Sequence, residues 1–168
     1  MVEHSVSSRP VDKKLTNWSA AVVAGIVAGI VATGVQVALW WLFLDDALPW
    51  NLYRDARLTA AMLMGPEVLP PPSTFNWAVL AIATSIHFIL SVVYGLVLAC
   101  LISRLGMKLS LATGVVYGLS IYVVNMYGMT FIFPWFSEVR DWITIITHAV
   151  FGLSLAGAYK LLVRRAMS

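Results

Sequence analysis

The sequence predicts an all-α polytopic membrane protein with four transmembrane helices, and three observations carry that prediction. Hydrophobic residues fill 60% of the 168 positions and charged residues only 11%, where a soluble domain has about 25% charged. A chain so poor in charge cannot cover its own surface in water, so its solvent is largely lipid. The apolar residues fall into four runs, each near the roughly 20 residues that cross ~30 Å of hydrocarbon. The cations gather at the ends of those runs rather than in a patch, which argues for membrane orientation and against nucleic-acid binding.

Residues 1–16 form a polar N-terminal segment with Arg9, Lys13 and Lys14. The next apolar run is longer than the ~7–15 residues of a cleavable signal core, and no small-x-small site closes it. It reads as an anchor that stays, so 17–168 is one four-helix membrane domain. The first span covers about 18–44. Gly25, Gly29 and Gly34 give it a thin face on which another helix can approach closely. Gln36 is its one strongly polar residue, and Trp40 with Trp41 suits an interfacial belt.

Residues 45–76 form a long outer loop. Within it Trp50 to Met64 reads as a short helix, with Leu52, Ala56, Ala60 and Leu63 on one face and Arg54 and Asp55 elsewhere. It either lies on the membrane surface or caps the bundle; the plainer reading is a connector. Gly65-Pro66 ends it, and Pro70-Pro71-Pro72 then gives a stiff extended segment. The remaining spans cover about 77–102, 109–133 and 142–163. A tight turn through Arg104 and Lys108 separates the second from the third. Pro134 stops the third, and Trp135, Phe136 and Trp142 read as an interfacial belt.

The charge asymmetry sets an orientation. Arg9, Lys13, Lys14, Arg104, Lys108, Lys160, Arg164 and Arg165 fall on one side, against Arg54, Arg57 and Arg140 on the other. By the positive-inside rule both termini face the cytoplasm of a bacterial inner (plasma) membrane.

Spans 1 and 3 resemble each other: Gly25-x3-Gly29-x6-Gln36 lines up with Gly114-x3-Gly118-x6-Asn125. Spans 2 and 4 do so too, Val93-Tyr94-Gly95-Leu96 matching Val150-Phe151-Gly152-Leu153. The chain therefore reads as a duplicated helical hairpin, like the parallel repeats of some transporters. The plain alternative is chance recurrence of Gly, Val and Leu. Gly114, Gly118, Gly152 and Gly157 are expected at close helix contacts, and Cys100 as a small buried residue.

Polar residues inside spans are costly and default to a functional hypothesis. Here they are Gln36, His87, Asn125 and His148, with Thr84, Ser91, Thr144 and Thr147 nearby. His87 lies ten residues and His148 six residues into spans that both start outside. At about 1.5 Å per residue they share the outer half of the membrane, and Asn125 can join them in a polar belt. Three functions compete for that belt. It is a hydrogen-bonding network for helix packing, each bond contributing roughly 0.6–2 kcal/mol; or a proton or small-solute path, with Asp141 at its mouth; or a bis-histidine site for b-type haem between His87 and His148. Only Arg140 stands near enough to meet haem propionates. Two histidines without a carboxylate at ligand spacing make a poor metal motif. No nucleophile-base pair, phosphate loop or catalytic carboxylate pair is present, so the expectation is a non-enzyme without metal or cofactor. The partners expected are the lipid bilayer and a homo-oligomer or membrane protein complex, with the small-residue faces as contacts.

Some of these residues carry a family likeness. Ala24-Gly25-Ile26-Val27-Ala28-Gly29 in span 1 is one part. His87-x3-Ser91-Val92-Val93-Tyr94, Lys108-Leu109, Pro134-Trp135-Phe136, Glu138-Val139 and His148 before two closing arginines are the rest. In these the chain resembles the YagU-like family of bacterial inner-membrane proteins, over roughly 20–44 and 80–165; the loop 45–76 does not match. The family often has histidine where this chain has Asn125. The resemblance implies a four-helix inner-membrane protein with no established activity. The leading expectation is an accessory or stress-related membrane component, and the alternative a small transport or proton-responsive protein using His87, Asn125 and His148.

Overall fold

The structure, a computed structural model, describes residues 16–45 and 48–166. Arg9, Lys13, Lys14 and Asp46 lie outside the described residues. No strand occurs among those described. The helices are α1 (Trp18–Phe43), α2 (Trp50–Met64), α3 (Trp77–Ile102), α4 (Met107–Val123) and α5 (Trp142–Arg165). A single π-helical turn, Val124–Gly128, and a 3-10 turn, Met129–Phe131, extend α4. Counted with that extension, four helices are long and apolar enough to cross a membrane: Trp18–Phe43, Trp77–Ile102, Met107–Phe131 and Trp142–Arg165.

Three spans begin in the same way. An Asn or Asp side chain accepts the orphan N–H three residues on, the commonest N-cap arrangement, and a tryptophan comes next. Ala20 N donates to Asn17 Oδ1 at 2.9 Å, Val79 N to Asn76 Oδ1 at 3.1 Å and Thr144 N to Asp141 Oδ1 at 2.8 Å. Trp18, Trp77 and Trp142 are all exposed on the bundle surface, as suits rings anchored at a membrane interface.

α1 and α5 form the central pair; α3 packs on α1, and α4 on α5. Small residues make both outer seams. A β-carbon at Gly25 would meet Ser91 O at 2.6 Å, and one at Gly95 would meet Ala21 O at 2.8 Å. In the other hairpin a β-carbon at Gly118 would strike His148 O, and one at Gly152 would strike Gly114 O. The two seams match with Gly25 beside Gly118 and Gly95 beside Gly152. That is one helical turn from the register in which the sequence aligns Gly25 with Gly114, because seam contact is decided by helix rotation, not by motif order. Two glycines depart from expectation. Gly34 has nothing within 4 Å of a built β-carbon, and Gly157 meets only Leu111 Cδ2 at 3.6 Å. Cys100 is also a correction: it lies exposed on the outer face of α3, because the packed face of that helix runs through Ser91, Gly95, Leu98 and Ala99.

The half of the bundle nearest the termini is dry. Ala20, Ala24 and Ala28 pack with Leu98, Ile102, Leu155 and Tyr159 in one cluster. Lys160 Nζ donates to Ile102 O at 3.0 Å and closes the end of α3.

The opposite half is roofed by α2 and the 134–139 turn. α2 is no plain connector: it lies along α3 and buries Leu58, Ala60 and Ala61. The face expected from the sequence is packed only in part: Ala56 and Ala60 pack against Val79 and Ala83 of α3, while Leu63 is 75% exposed. Trp135 Nε1 donates to Leu58 O at 2.9 Å, and Trp135 and Phe136 pack with Tyr122, Met126 and Val139. These two rings therefore turn inward rather than forming a belt. Trp40 does the same, at 3% exposure against 75% for its neighbour Trp41. Arg57 holds the segment after α2 through Val68 O at 3.0 Å and Thr74 O at 3.2 Å.

Candidate functional site: a polar chamber beneath the roof

Two adjoining cavities lie between the roof and the glycine seams. The inner has a volume of about 260 Å³ and reaches Ser91, Tyr94 and Phe151. The outer, of about 410 Å³, reaches Trp40, Asp55 and Thr144. His87, His148, Thr33 and Gln36 line both, so the two imidazoles stand where the cavities join. Asn125 lines the inner one. The structure thus brings all four residues of the polar belt to one chamber.

Local geometry explains how each is held. His148 Nδ1 lies 2.8 Å from Thr144 O, one turn earlier in α5. A carbonyl only accepts, so Nδ1 carries the proton and Nε2 keeps a free lone pair. His87 Nε2 lies 3.3 Å from Gly29 O and 3.4 Å from Thr33 Oγ1, which by the same rule leaves Nδ1 as the free acceptor. That contact needs Gly29: a β-carbon there would come within 3.0 Å of His87 Nε2 and 2.9 Å of Ser91 Oγ. Tyr94 OH donates to Asn125 Oδ1 at 2.9 Å, and Tyr117 OH donates to Tyr94 O at 3.1 Å. These two bonds tie α3 to α4 in a bundle where those helices otherwise barely meet.

Asn125 sits in the π-helical turn Val124–Gly128. Such turns insert one residue into a helix and occur often at functional sites. Arg140 braces this turn: Nε donates to Met126 O at 2.6 Å, Nη2 to Thr130 Oγ1 at 2.9 Å, and the guanidinium stands 4.3 Å from the centre of the Tyr127 ring. The arginine considered for haem propionates is thus committed to the backbone of α4. Thr147, 7% exposed, lines the inner cavity with a hydroxyl that has no protein partner.

Asp55 is the chamber residue that sequence reasoning missed. Its Oδ2 accepts from Gln36 Nε2 at 3.0 Å, and Arg54 Nε donates to its Oδ1 at 2.9 Å. Its side chain is 24% exposed. Burial pushes the carboxyl up from 3.8 to about 6; Arg54 and the Gln36 hydrogen bond oppose the shift, and the nearby Asp141 charge adds to it. A signal for this was present. Leu52, Asp55, Thr59 and Met62 recur at helical spacing, and all four line the cavities. The face rich in alanine and leucine drew the reading instead. Asp141, expected at the mouth, caps α5 within electrostatic reach of Asp55. Neither imidazole is hydrogen-bonded to a carboxylate, and no group of three or more His, Cys, Asp or Glu is placed to hold a metal among the described residues.

No family model, curated protein or solved structure matches the chain. The chamber therefore has to be read from its own chemistry.

Proposed function

We propose that this is a small, non-catalytic transport or proton-responsive protein of a bacterial inner membrane, with both termini cytoplasmic and the α2 roof outside. One observation carries the reading: His87 from one hairpin and His148 from the other line both cavities of a common chamber, whose outer cavity is also lined by Asp55. Polar side chains within a bundle commonly mark solute and proton paths. The Asp55 carboxyl, pushed up to about 6, changes charge within the range a cell envelope meets. The orientation rests on the eight-against-three distribution of basic residues.

The small-residue faces expected to serve as contacts between chains are taken up inside this one. Gly25 and Gly95 meet across one seam, and Gly118 and Gly152 across the other. The test is a pH gradient imposed on liposomes with a trapped dye. The wild-type chain should dissipate it several-fold faster than empty vesicles, and His148→Ala should return the rate to that of empty vesicles. Equal rates with and without protein, or a His148→Ala rate like wild type, would sink the proposal.

A further inference from the structure

The inner cavity has a second chemical character besides its polarity. Met62 from α2 and Met126 and Met129 from the extension of α4 all line it, beside His87 and His148. The chain has seven methionines, so three of them converge on one cavity of about 260 Å³. They come from two separate elements, so the cluster is not the product of one helical stripe. Both histidines turn a free lone pair to their surroundings, since their other ring nitrogens face carbonyl oxygens of Thr144 and Gly29.

Thioether and imidazole are the donors that select soft metal ions, copper(I) above all. The charge balance points the same way. No carboxylate and no cation is among the residues lining the inner cavity. A divalent ion stripped of water there would lack charge compensation, and the cost of burying an uncompensated charge is steep. A monovalent ion with easily shed water suits a neutral sulfur and nitrogen lining.

We infer that the inner cavity is a binding site for a soft monovalent cation, copper(I) or silver(I), held by His87, His148 and thioethers from Met62, Met126 and Met129. This deepens the proposed function and rests on the chamber being a binding site; it names the class of ion the chamber takes.

The experiment uses the full chain in detergent, with His4→Ala and Cys100→Ser to remove the other imidazole and the thiol. Silver nitrate in chloride-free buffer is the redox-inert probe, followed by calorimetry and by thermal unfolding. One equivalent should bind and raise the melting temperature by several degrees. Combined Met62→Leu, Met126→Leu and Met129→Leu conserves volume, and should weaken binding at least tenfold, as should His148→Ala. X-ray absorption of the copper(I)-loaded chain should show both sulfur and imidazole scatterers. Met126→Leu alone serves if the triple variant does not fold, with fewer sulfur scatterers expected. No saturable binding, affinity unchanged by the leucine variants, an absorption spectrum without sulfur, or zinc(II) binding as tightly would each overturn the inference. If silver fails while His148-dependent proton flux persists, the inference falls and the proposed function stands. Silver binding without any flux gives the converse.

Discussion

The two halves of this bundle are built from the same kinds of helix and yet solve opposite problems. Towards the termini, Ala20, Ala24 and Ala28 pack with Leu98, Ile102 and Leu155 in one apolar cluster. Beneath the roof, residues of the same α1, α3 and α5 line cavities of about 260 and 410 Å³. Lipid tails are as apolar as leucine, so helices associate through close packing and hydrogen bonds rather than through the hydrophobic effect. In the dry half packing does this. In the chambered half packing is given up, and the Tyr94–Asn125 bond, the Asp55–Gln36 bond and the α2 roof hold the helices instead. A membrane protein can thus keep an open polar space if its fold is secured at one end and bridged at the other.

The glycine seams are where the comparison breaks most easily. Gly118→Ala places a β-carbon against the backbone oxygen of His148, and neither helix can yield without opening the seam. Overpacking of this kind typically costs about 1–3 kcal/mol and more when backbone is struck; the upper end is expected, with a large fall in melting temperature in detergent. Gly34→Ala, with open space around it, should instead gain a few tenths to about 1 kcal/mol from helix propensity. Equal effects of the two would mean the seam is not the contact that holds the hairpin.

The contrast between halves sharpens with a second pair. Leu155→Ala, in the dry cluster, should cost about 2–4 kcal/mol as a large-to-small core change. Thr147→Val removes a buried hydroxyl that has no partner and should be neutral or stabilising by up to about 1 kcal/mol, read in the same denaturation assay. A strong loss in Thr147→Val would show that the hydroxyl is satisfied in the membrane.

Asp55 gives the one effect with a pH signature. Its folded pKa of about 6 lies above the ordinary 3.8, so the folded state holds the proton more tightly than the unfolded one. Its favourable contribution is complete below about pH 4 and is lost as pH rises to about 6 and beyond. Asp55→Asn lacks this dependence. The variant should therefore gain on wild type as pH rises from 4 to 7, by about 1–2 kcal/mol, and the added difference should vanish below about pH 4. A pH-independent difference would place Asp55 in water rather than under the roof.

The broad fold was legible because lipid imposes it. A run of apolar residues long enough to cross hydrocarbon must satisfy its backbone internally, and helix is the way one segment does so. Composition alone therefore pointed to an all-α chain with four spans. The same logic marked Gln36, His87, Asn125 and His148, since a polar side chain in such a run is conspicuous wherever it points. What periodicity could not supply was rotation and partner. It grouped Gly34 with Gly25 and Gly29, although only the latter two meet α3. It assigned Trp40, Trp135 and Phe136 to an interface, although all three rings turn inward.

The loop was the least legible part, for the same physical reason. α2 is short, amphipathic and too polar to be a span, and nothing within it says what it will touch. Its place is set by contacts such as Trp135 to Leu58, 77 residues apart. That docking carries Asp55 and Met62 to the chamber, adding a carboxyl to the outer cavity and a third thioether to the inner. Four apolar spans with polar groups inside them are written into the chain residue by residue, because solvent transfer energies act on each side chain separately. That those polar groups share a roofed chamber is a product of tertiary packing, because it depends on how helices rotate and which distant segments meet.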